Sequence, residues 1–432
     1  MPFMSRVHQK PRMEQWGVVV VGAGPGGLLA AERAAARGNA TLLLEKNSRP
    51  GVKIRISGGG HCNLTHDTDA KGIVDAFGPS GRFLHSALAA LGPRQLIDLV
   101  EAGGVATETD SDGNVWPASR KAAHVLDALL RPLTRSGATP AVEEPLLTIQ
   151  PTDAGFHLTT ARRTLSARKV VLATGGCSYP GCGTTGDAYR WAAALGHTVV
   201  PPRPALVPVL TDTPWVTALQ GITIPDVVLR VVDAENGPSP AGARAKRKKT
   251  QIQWRGALLF AHFGLSGPVA LDVSRMISAC PRGKRPSLEC DFLPTVSEAQ
   301  LEEVLLAAST GSSRRVAVLM DRWLPGRLAE ALIVQAELDP QRRAAEISRG
   351  ERLRLVQAVK RLRIRTTGTL GFEKAEVTAG GISLDEIDSR TMQSKLVPDL
   401  FVAGELLDLD GPIGGYNLQA AFSTGWLAGE SV

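Results

Sequence analysis

The stretch Gly17-Val-Val-Val-Val-Gly-Ala-Gly-Pro-Gly-Gly27 decides the fold. Its four valines form a continuous β-branched run, the pattern of a parallel strand buried on both faces. Gly22, Gly24 and Gly27 follow at once, and Gly26-Gly-Leu-Leu-Ala-Ala-Glu-Arg-Ala-Ala-Ala-Arg37 then reads as a helix stopped by Gly38. A second strand, Thr41-Leu-Leu-Leu44, ends in Glu45. In such a unit the first glycine makes the turn, the second lets a pyrophosphate approach the backbone, and the third lets helix and strand pack closely. The N–H groups and dipole at the helix start serve the phosphates. Glu45 is placed to accept hydrogen bonds from ribose hydroxyls. A glutamate followed by Lys46 suits an unphosphorylated adenosine ribose, so FAD or NAD rather than NADP. The loop residues expected at the cofactor are Gly22, Ala23, Gly24, Pro25, Gly26 and Gly27.

A second GxGxxG lies in Pro180-Gly-Cys-Gly-Thr-Thr-Gly-Asp-Ala-Tyr189. It too follows a strand, Lys169-Val-Val-Leu-Ala173, and precedes a helix, Asp187 to Leu195. Its glycines, however, begin eight residues beyond Ala173, and no second strand closing in an acidic residue follows. The context therefore argues for a glycine-rich bend, not a second dinucleotide site. Any nicotinamide would be a visitor.

The whole chain of 432 residues is ordinary for a globular protein, with 43% hydrophobic and 21% charged residues, and is long enough for two or three domains. Five cysteines, Cys62, Cys177, Cys182, Cys280 and Cys290, form no CxxC pair, which disfavours a disulfide framework and a zinc site and suits a reducing cytosol. No apolar run reaches membrane-spanning length, and no metal site is expected. Residues 1–12 read as a loose tail, with Met13 an alternative start. A net charge of +7 and a pI near 9.3 permit anionic partners. Arg244-Ala-Lys-Arg-Lys-Lys249 concentrates five cations in six residues, and Arg352, Arg354, Lys360, Arg361, Arg363 and Arg365 crowd a second segment. Both read as solvated faces or as a phosphate-tracking surface for RNA.

Three further stretches are informative. They are Gly51-Val-Lys-Ile-Arg-Ile-Ser-Gly-Gly-Gly-His-Cys-Asn-Leu-Thr65, Val171-Leu-Ala-Thr-Gly-Gly-Cys-Ser-Tyr-Pro180, and Leu396-Val-Pro-Asp-Leu-Phe-Val-Ala-Gly-Glu405 running on to Gly414-Gly-Tyr-Asn-Leu-Gln419. With Phe260-Ala-His-Phe-Gly-Leu-Ser-Gly-Pro268 and Val377-Thr-Ala-Gly-Gly-Ile382, they make the chain resemble the BaiN/YhiN-type flavoproteins, bacterial NAD(P)/FAD-dependent oxidoreductases, over nearly its whole length. The resemblance implies an α/β fold: a glutathione-reductase-type FAD-binding Rossmann domain with an inserted β-rich and helical domain. The flavin domain would comprise residues 13–200 and 370–432, and the insert 201–369, with the active site in the cleft between them. Pro201-Pro-Arg-Pro204 interrupts the chain at that boundary. Short alternating strands are expected over 207–254. Helix follows over 296–364, with Leu353, Val356, Val359 and Leu362 on one stripe. Leu400-Phe-Val-Ala403 is expected to return as a strand to the first sheet.

The resemblance also implies cofactor contacts at Lys53, Ser57, Gly58, Gly59, Gly60, Cys62, Asn63, Leu146, Ala173, Thr174, Gly175, Gly176, Gly404, Glu405, Gly414, Gly415, Tyr416, Asn417 and Leu418. Ser57 to Gly60 offers backbone against a flat ring, and Glu405 would face ribityl hydroxyls. The helix from Tyr416 would direct its first amides at the electron-rich edge of a reduced flavin. No residue is assigned as catalytic. Cys62 reads as a packing residue; His61, where the family usually has arginine, reads as an acid or a structural group. His262 and Ser266 are candidates for the substrate side, and Tyr416 for proton donation. The implied activity is a cytoplasmic FAD enzyme fed by NAD(P)H that reduces a polarised C=C bond, in uracil of ribosomal RNA or in an enone-like small molecule. Alternatives are an amine or aminoketone oxidase using oxygen, and an RNA-binding flavoprotein without turnover. Oligomeric state is not legible.

Overall fold

The computed structural model describes residues 13–232, 252–281, 283, 286–309 and 313–432. The expected tail at residues 1–12 and the basic run Arg244–Lys249 lie outside the described residues. The chain divides into two compact units: Met1–Pro202 with Val377–Val432, and Arg203–Glu376.

The first unit is built around a seven-stranded sheet. Strand β1, Glu14–Val21, lies at its centre, parallel to β2, Thr41–Leu44, on one side and to Thr164–Leu172 on the other. Thr139–Ala141 continues the parallel order beyond β2. The first half of Thr164–Leu172 pairs antiparallel with Gly155–Thr160, and its last residues pair parallel with the returning strand Leu400–Val402. Val18, Val19 and Val20 have no exposed surface, as the unbroken valine run requires. Each such burial contributes roughly 1.5–3 kcal/mol.

Helix α1, Pro25–Ala36, leaves β1 through a turn that only glycine permits. A Cβ on Gly27 would sit 1.7 Å from the Gly22 carbonyl oxygen. The helix can therefore lie flat on the strand that precedes it.

The second unit has its own seven-stranded antiparallel sheet. From edge to edge it runs Leu362–Arg365, Ser287–Asp291, Thr223–Val232, Gln253–Ala261, Gly264–Ser266, Val209–Leu210 and Gly368–Thr369. Helix Pro268–Ser278 packs Val269, Ala270, Val273 and Ile277 into the core beside Phe260 and Phe292, whose rings stack 6.4 Å apart. The helices Glu298–Ser309, Gly326–Gln335 and Arg349–Lys360 contribute to the same core.

Two local expectations change. Pro201 to Pro204 does not interrupt the chain: it lies within the strand Val199–Ala205, paired with Val377–Ile382 in a sheet of two. A two-stranded sheet leaves one edge of each strand without ladder bonds, so missing N–H groups are tolerated there. The helical stripe is also shifted. Leu353 is 40% exposed, Leu362 begins a strand, and the buried face is Leu355, Val356 and Val359. Lys360 ends the helix by turning its ammonium inward, 2.8 Å from Asp291 and 2.6 Å from the carbonyls of Leu293 and Val296.

A buried tie closes the first unit near the end of Asp187–Ala194. The His197 ring meets Glu386 through Nδ1 at 3.0 Å and Ser394 Oγ through Nε2 at 2.9 Å. Ser394 Oγ in turn accepts from the backbone amides of Leu396 and Val397 at 3.1 and 2.8 Å, so the serine is a turn brace, not a nucleophile.

Gly27→Ala is expected to destabilise the first unit by about 3 kcal/mol or more, because the added Cβ would meet the Gly22 backbone, which cannot move aside as a flexible side chain could. Urea unfolding of the variant measures this; a midpoint equal to wild type would contradict the packing described.

Candidate active site

Glycines and charged groups from distant segments converge in the first unit. Gly24 caps α1 in an extended conformation with no side-chain hydrogen bond to the helix, and a Cβ there would meet nothing within 4 Å. The first-turn amides of α1 are thus without a side-chain cap beside open space, the arrangement that receives phosphate. Pro25 fills the first helical position, where its missing N–H costs nothing.

Glu45 lies at the end of β2, 8% exposed, and both carboxylate oxygens accept backbone amides: Oε2 from Ala23 and Oε1 from Asn47, each at 2.8 Å. It therefore fixes the glycine loop, and its remaining lone pairs are left for a hydroxyl donor. Lys46 turns away, its ammonium 2.6 Å from both Asp187 Oδ2 and Thr185 Oγ1. Asn47 Nδ2 donates to the Cys182 carbonyl at 3.0 Å. The second glycine-rich stretch is thus the brace of the segment after β2, and Gly183 has no Cβ because Asn47 would lie 2.6 Å from it.

A second cluster centres on Glu405. Its Oε2 accepts from Lys53 Nζ at 2.5 Å; its Oε1 accepts from Ser178 Oγ at 2.6 Å and the Thr378 amide at 2.8 Å. Lys53 also donates to Ser178 Oγ at 2.6 Å. Thr378 Oγ1 accepts the amides of Cys177 and Ser178 at 2.8 and 3.1 Å. Four segments far apart in sequence are tied here by one carboxylate. Gly176 lies against Thr378 and Glu405, Gly26 approaches Gly404, and Gly22 approaches Ala173 and Thr174. Gly175 has a φ of +74°. Tyr189, packed with Cys177 around Gly186, has a buried hydroxyl without a partner, and burial and then the Glu405 charge hold it above the usual phenol range.

Helix α2, Val52–Gly60, breaks at its end: Ser57, Gly58 and Gly59 leave helical geometry, and Gly58, Gly59 and Gly60 all have positive φ. Trp116 presses on this bend, its ring 2.7 Å from where a Gly58 Cβ would lie. The indole is pinned by its N–H to Asp110 at 2.9 Å and covered by Arg120 at 4.9 Å, and His61 meets it edge-on at 6.4 Å. Burial would raise the Asp110 carboxyl, but hydrogen bonds from Trp116, Asn114 and Asp112 hold it down at about 2. His61 Nδ1 meets the Arg120 carbonyl at 2.7 Å.

Asn63 lies beside Asn114 and Gly415. Gly415 starts the C-terminal helix Tyr416–Ser431 with a φ of +88° and no side-chain cap. Tyr416 stacks on His66 at 4.7 Å, and Asn417 clamps Gly411 and Pro412. Gly414 is buried and Leu418 half-buried on the core. Leu146 is a buried strand residue of the core at 4% exposure. Cys62 is fully buried, and burial pushes its thiol up to about 11. His262 is exposed and edge-on to Phe263; Ser266 ends its strand.

Ser178, Thr378, Asp187, Asp110 and Trp116 are the groups that sequence reasoning passed over. Ser178 and Thr378 stand inside stretches that were singled out, whereas Asp110 and Trp116 carried no motif. Among the described residues no group of three or more His, Cys, Asp or Glu could hold a metal ion, and no helix is long and apolar enough to cross a membrane.

Residues 16–431 match the family described as HI0933-like protein Rossmann domain. The chain is 32% identical over 424 residues to the ribosomal RNA dihydrouridine synthase of Escherichia coli strain K12, covering 97% of this chain and 98% of that protein. It is 29% identical over 430 residues to the 3-dehydro-bile acid delta(4,6)-reductase of Clostridium scindens, covering 95% and 98%. Its fold is similar to that of 3-ketosteroid-delta4-(5alpha)-dehydrogenase from Rhodococcus jostii RHA1, with a TM-score of 0.51, 17% identity and coverage of 99% and 98%. The chain belongs to the HI0933-like Rossmann-domain family, and it is an enzyme, a flavin-dependent oxidoreductase.

Two outcomes check this geometry. In native protein at pH 8, Cys62 is expected to resist iodoacetamide and to react only after unfolding; rapid native labelling would contradict its burial. The Asp110 carboxylate contributes stability fully above its unfolded pKa of about 3.9 and loses it as pH falls toward about 2. The stability gap between wild type and Asp110→Asn should therefore narrow between pH 6 and pH 2, and a constant gap would contradict the assignment.

Proposed function

We propose that the first unit holds FAD and that the enzyme uses it to reduce a polarised C=C bond, with uracil of ribosomal RNA as substrate and NAD(P)H as visiting donor. The observation that carries the cofactor reading is the uncapped start of α1 beside the open face of Gly24, with Glu45 fixed next to it. The pyrophosphate would lie on Gly22 to Gly27, and an adenosine ribose would be held by Glu45. Glu405, kept in place by Lys53, Ser178 and Thr378, is an acceptor for ribityl hydroxyls. Ala173 to Gly176, Ser57 to Gly60 and Asn63 supply backbone and amide contacts to the ring system.

Bound there, the flavin supplies hydride transfer at its N5. The protein's own part is orientation and charge. The uncapped amides at the start of Tyr416–Ser431 would favour negative charge on a ring held beside them. Trp116, pinned by Asp110, holds the glycine bend in one shape. Tyr416 offers a phenol for proton delivery to a reduced substrate.

The substrate class rests on the relatives. Both curated proteins act, by their names, on ring systems: one makes dihydrouridine in ribosomal RNA, the other is a bile-acid reductase. The higher identity to the first, 32% against 29%, favours RNA.

The test is anaerobic. Purified protein is mixed with NADPH or NADH, the visible flavin band is followed, and unmodified ribosomal RNA is then added. Bleaching followed by recovery, with dihydrouridine in the digested RNA, is the expected result. Flavin that bleaches but recovers only with a steroid enone would move the substrate to small molecules; flavin that stays oxidised with both nucleotides would remove the donor assignment.

Gly24→Ala separates folding from binding. It should leave the apoprotein's melting temperature unchanged and weaken FAD affinity on the order of tenfold or more, about 1.4 kcal/mol or more. Unchanged affinity would contradict the phosphate assignment.

A further inference from the structure

The second unit contains a charge arrangement that its fold does not need. Arg315 and Arg343 face each other across an isolated antiparallel bridge. The flanking bonds run from the Val316 amide to the Arg342 carbonyl at 3.0 Å and from the Ala344 amide to the Arg314 carbonyl at 2.9 Å. That pattern makes Arg315 and Arg343 a non-hydrogen-bonded pair, the closer of the two antiparallel kinds. Their Cβ atoms therefore leave the backbone about 4.5–5.5 Å apart on one face, where like charges are destabilising.

Both residues are exposed, and neither forms an ion pair among the described residues. Arg342 is engaged with Glu351 and with the Glu346 carbonyl at 2.9 Å. The nearby acid Glu346 directs its carboxylate to the Arg343 backbone amide at 3.3 Å. By contrast, cations of the segment first suspected from sequence already have partners: Lys360 with Asp291, Arg361 with Glu298, Arg354 with Glu337 and Arg363 with Glu289. Two exposed arginines at directly opposed positions of a bridge, neither of them in an ion pair among the described residues, can share an anion between them, and planar forks suit phosphate oxygens.

We propose that the exposed Arg315–Arg343 pair is a phosphate-contacting surface for RNA; this rests on the RNA-substrate reading above. Contacts of this kind position a substrate without reading its sequence.

The test uses the full-length holoenzyme with Arg315→Gln and Arg343→Gln combined, which also removes the cross-strand repulsion and so keeps or raises thermal stability. Binding of a ribosomal RNA transcript is measured by filter retention from 50 to 300 mM salt, beside NADPH-dependent bleaching of the flavin. The expected result is weaker binding, with the slope of log K against log salt reduced by about 1.5–2, and unchanged bleaching. An Arg315→Lys, Arg343→Lys pair should retain most of the slope. Wild-type RNA binding matched in strength and slope by the glutamine variant would overturn the surface while leaving the RNA reading intact. A wild type that retains no RNA at 50 mM salt would overturn both.

Discussion

The absence of one side-chain atom at Gly27 lets the rest of the first unit assemble. With its Cβ position 1.7 Å from the Gly22 carbonyl, no other residue lets α1 lie against β1 at this separation. The same device recurs one layer out. Gly425 and Gly429 of the C-terminal helix would set Cβ atoms 2.1 Å from the Gly26 carbonyl oxygen and 2.5 Å from that of Ala30. Close approach of these two helices lays the C-terminal helix along α1, with Gly425 and Gly404 against Gly26, while Gly415 at its start lies against Thr65 and Asn63. The candidate site is thus a consequence of backbone-to-backbone packing, and its polar groups are arranged on top of that packing.

Those polar groups do two kinds of work. Glu45 and Glu405 each accept from backbone amides or neighbouring side chains and leave acceptor capacity over, so they are held still while able to take a further donor. Lys53 balances Glu405 locally. Burial raises the thiols of Cys62, Cys177 and Cys182 alike, which disfavours their thiolate forms. The groups gathered here hold and orient one another, which suits the flavoprotein family to which the chain belongs.

Much of this was legible in the sequence, for reasons that can be named. The valine run, the spaced glycines and Glu45 are local signals with short-range causes, and they delivered the first strand, helix and strand together. The second GxGxxG sits in a different context, and in the structure its segment braces Lys46 and Asn47. What was not legible depends on tertiary partners. Nothing local marks Ser178 and Thr378 as joint holders of Glu405; the Asp110–Trp116 bond is a local contact within one hairpin but carries no sequence motif. Periodicity misplaced the helical stripe because Lys360, a charged residue, is buried on Asp291, and because Leu362 already belongs to the next strand. Pro201 to Pro204 looked like a break because proline is rare in strands; a two-stranded edge accommodates it.

The central claim is that this Rossmann loop carries FAD. The measurement that reaches it most directly is identification and quantification of whatever small molecule the purified protein releases on denaturation, by absorption and mass. The account predicts FAD at one equivalent per chain, with no nicotinamide retained. Release of NAD in its place, or a colourless protein that cannot be loaded with FAD, would contradict it.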